Sequence, residues 1–435
     1  MERDSGEGWR RAAFWAAVIV TGVGTGLATA ALMKLLYAVQ HMLWPGAGVD
    51  LLDAAAQADW KHHLLVLLGA GLLAAAGQAL LGHLPNGNGS DVVTAITLYG
   101  GRVPALRTLG SAVLSVVVVG MGASLGREGA PKQAGAVIAN AAAERAGLSD
   151  DERRLLVACG AGAGLAAAYG VPLGGALFAL EVLRGQLALR FVLPALVTSL
   201  TATGMAWCFL PDAPTYAIPA YTGSLAIAAW ALMAGAIGGV VSTLFVRAVA
   251  WASHHRPQGW QRVAAPVVAL SVLGAVSIPF PQLLGNGRDI AALAFSGQVS
   301  LVLLVVLLPL RPAATLLCLG SGVPGGLFTP SLALGALLGG VLGYPLSLLT
   351  PDVPSGLFAV LGAAAVLAAT TQGPLSTVVL MIELTGQARS FILPLLIVVA
   401  VATLVARRLD TCSIYDARLS DAEAEERRKR RALRP

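Results

Sequence analysis

Charge is scarce in this chain. Lys, Arg, Asp and Glu together make up 12% of 435 residues against 56% hydrophobic residues, with a mean hydropathy of +0.75, a balance that excludes a water-soluble globular domain. Cysteine is scarcer still. Cys159, Cys208, Cys318 and Cys412 show no metal-ligand or redox spacing, which excludes a disulfide framework or a zinc module and predicts buried, reduced thiols. Catalytic constellations are also missing: His62 with His63, and His254 with His255, are expected at polar loop edges with no carboxylate at ligand spacing, so an intramembrane hydrolase has nothing to work with and no cofactor or enzyme activity is expected. No small-residue cleavage site follows a short apolar core near the start, so the first apolar run, 12 to 43, is expected to remain as a membrane helix.

What the chain does have is a succession of apolar runs, from 12 to 43 through to 391 to 406. Several, such as 155 to 169 and 374 to 385, fall short of the ~20 residues a full crossing needs and predict partial or re-entrant helices. The 51 glycines and 23 prolines cluster between the runs, as in broken helices whose free backbone groups line a polar path. This is the composition of an all-α polytopic transporter or channel.

Lys and Arg gather at the two ends. Arg3, Arg10 and Arg11 precede the first run, and Arg407, Arg408 and ERRKRR, 426 to 431, follow the last, so both termini are expected in the cytoplasm. The net charge of +6 then reflects topology and contact with anionic lipid in the bilayer, not nucleic-acid binding.

One pattern occurs twice. Gly87-Asn88-Gly89 recurs as Gly285-Asn286-Gly287, an offset of 198; GREGAP, 126 to 131, matches GGLFTP, 325 to 330, at 199; and Pro172 matches Pro374 at 202, each followed nine residues later by a glutamate, Glu181 or Glu383. Two inverted membrane repeats, 12–210 and 211–406, are expected between a short N-terminal segment, 1–11, and a basic tail, 407–435, with the substrate site near the midplane where the broken helices meet. The glycine-rich breaks at 86 to 91, 122 to 131 and 320 to 330 are the candidate binding loops. Helix N-termini there favour a small anion. Within the second break, Glu128 beside Arg127 is a charge that a membrane protein retains mainly for function.

These residues resemble the CLC chloride channels and transporters: GREGA with Pro131 just after, GSGVPGGLFTP, 320 to 330, and the late Tyr415 in CSIYDARL. The match runs over most of residues 12 to 416 in motif order, and is most similar to a bacterial subgroup of voltage-gated CLC-type channels with a GREGA motif. The resemblance implies a CLC-type fold of two inverted repeats with broken and tilted helices, a homodimer with a pore in each subunit, and chloride movement that is either passive or coupled to protons. It implies that Glu128 is the gate, its carboxylate competing with chloride for one anion site. Arg127 and Gly129 in the same motif, and Gly326, Leu327 and Phe328 in the matching one, would bind or attract the anion, the last two through backbone N–H groups. The Tyr415 hydroxyl would point at the central chloride.

Three departures qualify this. The family's first loop usually reads GSGIP, whereas this chain has GNGSD, 87 to 91; either Asn88 or Ser90 is expected to supply the anion's side-chain donor, and Asp91, which would repel an anion, is expected to point to water or to cap the helix that follows. A chloride preference over fluoride or nitrate is correspondingly open. The paired glutamates of the proton-coupled exchangers read Glu181-Val182 here; valine carries no proton, which favours a voltage- or pH-gated chloride channel, with a chloride/proton antiporter as the alternative. Glu181, repeated as Glu383, is expected to be structural. Lastly, only residues 407 to 435 follow the last apolar run, so appended nucleotide-sensing modules are not expected.

Overall fold

The computed structural model describes residues 2–44, 46, 51–84, 91–216, 218, 225–349, 353–387, 391–419 and 421–432. Helices make up the fold, in the order α1 (Glu2–Leu43), α2 (Leu51–Gln57), α3 (Trp60–Gly82), α4 (Val92–Leu98), α5 (Ala105–Gly120), α6 (Gly129–Arg145), α7 (Asp150–Tyr169), α8 (Pro172–Phe178) and α9 (Leu189–Trp207). The chain continues with α10 (Leu225–His254), α11 (Gln261–Ser277), α12 (Arg288–Phe295), α13 (Leu301–Gly320), α14 (Phe328–Leu349), α15 (Gly356–Thr371), α16 (Pro374–Thr385), α17 (Ile392–Arg408) and the tail helix α18 (Asp421–Ala432). Among the described residues six helices are long and apolar enough to cross a membrane, and α5, α11, α15 and α16 are apolar but shorter. The short pieces α4, α8 and α12 are the broken helices that the glycine and proline content predicts.

The same helix order appears twice. Helices α1, α3 to α7, α8 and α9 have counterparts α10 to α17, and matching helices pack in matching ways. A side chain at Gly135 of α6 would strike the Gly160 backbone of α7, just as one at Gly335 of α14 would strike the Gly362 backbone of α15. Small residues let these helix pairs approach at backbone distance, the packing that lipid-embedded helices use in place of a hydrophobic driving force. Helices α7 and α15, rich in Ala and Gly, are buried along nearly their whole length and form the centre of the protein.

Local sequence explains where the central helices start. Ser149 and Glu152 form a capping box at α7, with Asp150, Asp151 and Glu152 in its first turn, and the helix ends at Gly170 in the left-handed conformation. Pro172 and Pro374 stand in the first turn of α8 and α16, where their missing N–H costs no hydrogen bond. Glu181 and Glu383 are structural at helix ends. Glu181 accepts backbone N–H groups of Leu375 and Ser376 at 3.1 and 2.6 Å, and Glu383 accepts those of Leu173 and Gly174 at 3.0 and 2.7 Å. Each half thus caps a broken helix of the other.

Two sequence expectations need correction. Cys159 and Cys318 are buried free thiols, but Cys208 is exposed and Cys412 only partly covered, because Cys208 falls at the C-terminal end of α9. His62 and His63 lie in the first turn of α3 and not in a loop: His63 is buried between the Ser277 hydroxyl, 2.8 Å, and the Ala55 carbonyl, 2.9 Å, a packing role that links the two halves.

Candidate functional site

The GREGAP and GGLFTP segments meet at the centre of the molecule. Gly126 and Gly326 exchange both backbone hydrogen bonds, each 2.8 Å, in an isolated antiparallel bridge. This pairing brings together the N-termini of α6 and α14, which start three and two residues later. The first amides of a helix have no partner inside it, so two sets of N–H groups and two positive dipole ends are concentrated at one point in the protein interior.

Glu128 occupies that point. Its side chain does not cap its own helix α6; it crosses to the other half. One carboxylate oxygen accepts the Phe328 N–H at 2.8 Å, and the other accepts the Thr329 hydroxyl at 3.1 Å and the Tyr169 hydroxyl at 3.3 Å. The Tyr169 and Thr329 hydroxyls are also 2.6 Å apart, and since each carries one proton, a hydrogen bond between them takes the place of one of their bonds to the carboxylate. Glu128 is fully buried. A carboxylate out of contact with water is tolerable only when its lone pairs are met by donors, and here backbone and hydroxyl donors from both halves meet them.

Arg127 does not pair with this carboxylate. It donates to the Tyr37 hydroxyl at 3.0 Å, lies over the Tyr169 ring at 5.1 Å, and with Asn286 and Arg288 lines a small cavity of about 20 Å³. Nearby, Arg311 holds the turn before α12 by donating to the carbonyls of Gln282, Leu283, Leu284 and Gly285.

A larger cavity, about 370 Å³, opens on the side that carries the tail. Gly129, Gly326, Lys132 and Tyr415 line it. Tyr415 is buried, packs edge-on against Phe178 with ring centres 5.8 Å apart, and its hydroxyl accepts from the Lys132 ammonium at 3.3 Å. Glu128 lines neither cavity. It stands between them in sequence, with Arg127 facing one and Lys132, a helical turn on, facing the other.

Of the residues singled out from sequence, Glu128, Gly129, Gly326, Phe328 and Tyr415 therefore come together at this centre, and Leu327 lies buried just before α14. Arg127 faces the smaller cavity. Asn88 and Ser90 lie outside the described residues. Asp91 caps α4, its carboxylate accepting the Val93 N–H at 2.8 Å. Sequence reasoning missed Tyr169, Thr329 and Lys132. Thr329 was in view within GGLFTP, and a hydroxyl beside a helix-start Phe328 is a signal that could have found it.

The fold and the site define a class: a polytopic helical membrane protein whose broken helices from two repeats converge on a buried carboxylate whose sequence neighbours line two cavities. The model of the family described as "Voltage gated chloride channel" matches residues 70–407, and the chain belongs to this family, the CLC proteins. A ClcB-like chloride channel protein of Ralstonia nicotianae is 31% identical over 411 residues, covering 91% of this chain and 94% of the relative. An H(+)/Cl(-) exchange transporter ClcA of Vibrio parahaemolyticus is 32% identical over 308 residues, 68% of this chain and 66% of its own. Among solved structures, a slow cyanobacterial Cl-/H+ antiporter superposes with a TM-score of 0.82 at 24% identity over 97% of this chain and 99% of its own. A CLC-type fluoride/proton antiporter gives 0.75 at 23%, covering 94% and 98%. At such identities these two likenesses speak to the fold alone.

Proposed function

We propose that the chain carries chloride across the bacterial inner membrane along a path joining the two cavities, with Glu128 as the gate. The observation that supports this most directly is the Phe328 N–H bonded to Glu128. A carboxylate held at a helix N-terminus on a closed path takes the place that a small anion would take. When the carboxylate is protonated or displaced, its amide and hydroxyl donors become available to chloride, and the cavities connect. The names of the curated relatives, which include a chloride channel protein and chloride exchangers, support chloride over fluoride or nitrate. The basic ends support cytoplasmic termini, and the family resemblance supports a homodimer with one path in each subunit; exposed Leu173 and Leu375, at equivalent places in α8 and α16, would suit either lipid or a second copy. Chloride efflux from liposomes holding the purified protein tests the proposal, and a protein that passes no chloride contradicts it.

For the coupling, Val182 supports a passive, pH-gated channel. It is buried, carries no proton, and its carbonyl accepts from Arg427 of the tail helix at 3.2 Å, so an apolar side chain and a cation occupy the place of a proton relay. The second reading, chloride/proton exchange by another inner route, is favoured by the exchanger names of the ClcA relatives. Reversal potentials under a chloride gradient, with and without a pH gradient, separate the two: passive conduction follows chloride alone, and exchange shifts with pH.

A further inference from the structure

Lys132 is a buried cation with no carboxylate in direct contact among the described residues: Glu128, one turn earlier on the same helix, and Asp91, on the same cavity, act on it only from a distance. Only 8% of it is exposed. Its ammonium meets the Tyr415 hydroxyl, 3.3 Å, and stands 4.5 Å from the Tyr415 ring centre and 5.6 Å from that of Phe178. Among the described residues no carboxylate lies at ion-pair distance from it. Asp91 lines the same cavity, but one of its oxygens is committed to capping α4. A phenol and two ring faces solvate a cation without neutralising it, and a charge withdrawn from water without a counter-charge is costly.

The cavity it faces carries more of the same sign. Arg107, Arg256, Arg262 and Arg418 line it with Lys132, and Asp91 is the one acid among the described lining residues. Low-dielectric walls with one sign of charge concentrate the opposite mobile ion. The four arginines form the approach, and Lys132, nearest to Gly129 and Glu128 along α6, is the end of it.

We propose that Lys132 is an anion-binding residue: its ammonium adds a fixed charge beside the Tyr415 hydroxyl at the head of the tail-side cavity, and a permeant monovalent anion held there is the contact partner that no described carboxylate provides. The inference rests on the anion-transport reading given above and adds to it a full positive charge, where the Glu128 position offers only helix amides and hydroxyls. A fixed charge makes residence at this point tighter than dipoles alone can, and it gives this chain a site whose affinity is set by one side chain.

The test is chloride calorimetry on the full-length protein in detergent, with chloride efflux from liposomes measured on the same preparations. K132M removes the charge and keeps the length, K132Q is a second neutral variant in case the first does not fold, and K132R restores the charge. The expected result is chloride affinity about tenfold or more weaker in K132M and K132Q, with K132R within a few-fold of wild type. Unchanged affinity in a folded neutral variant of a protein that binds and carries chloride overturns the assignment of Lys132 alone, as does an equal loss in K132M and K132R. A wild-type protein with neither chloride binding nor chloride flux overturns the transport reading beneath it.

Discussion

Glu181 and Glu383 exchange places across the two halves: each carboxylate accepts two backbone N–H groups from the first turn of the other half's broken helix. The exchange ties α8 to α16 and gives a reason for a glutamate nine residues after each proline. Glu383→Ala and Glu181→Ala should each lower stability by about 1 to 2 kcal/mol, the usual cost of a lost N-terminal cap, while leaving the pH dependence of chloride flux in place. Thermal unfolding in detergent beside a flux assay checks both halves of this expectation.

Gly126→Ala should loosen the gate without breaking the fold. A methyl group built on Gly126 runs into the Glu128 carboxylate and meets nothing else as near, and the end of a flexible side chain can move where backbone cannot. The variant should carry chloride faster than wild type at neutral pH and respond less to acid. Flux equal to wild type at every pH counts against the carboxylate's placement.

Tyr415→Phe removes the hydroxyl that Lys132 meets and keeps the ring that packs on Phe178. Loss of one hydrogen bond predicts chloride binding weaker by about 0.5 to 1.5 kcal/mol. Calorimetry measures it, with unchanged thermal stability as the control for packing.

Much of this was legible in the chain itself. Membrane helices follow from apolar runs, the repeat from motifs at near-constant offset, and Glu128 from the cost of a charge between such runs. Asp91 as a cap and the glutamate pair as helix-end residues were readable too, because capping is local chemistry. Lys132 was not. A lysine four residues after a glutamate on a helix looks like an ordinary charge pair, and only the folded chain brings Tyr415, 283 residues on, to its ammonium. Tyr169 was hidden for the same reason, since its link to Glu128 and Thr329 spans both halves. Cys208 and His63 were misjudged because run boundaries set by hydropathy do not show which face of a helix end is covered.

Val182→Glu places a carboxylate where the tail's Arg427 contacts the backbone. If the wild-type protein conducts passively, this variant should gain proton movement coupled to chloride or lose stability through an ill-matched buried acid. Lumenal pH recorded during chloride-driven flux distinguishes the outcomes.

The claim on which the account turns is that the Glu128 carboxylate fills an anion's place on a closed path. Chloride efflux from liposomes at a series of pH values, wild type beside Glu128→Gln, tests it most directly. The account predicts that wild-type flux rises as pH falls; in Glu128→Gln, which lacks the competing charge, flux should be independent of pH and at least as fast as the wild type in acid. A Glu128→Gln protein that keeps the wild-type pH profile would contradict the account.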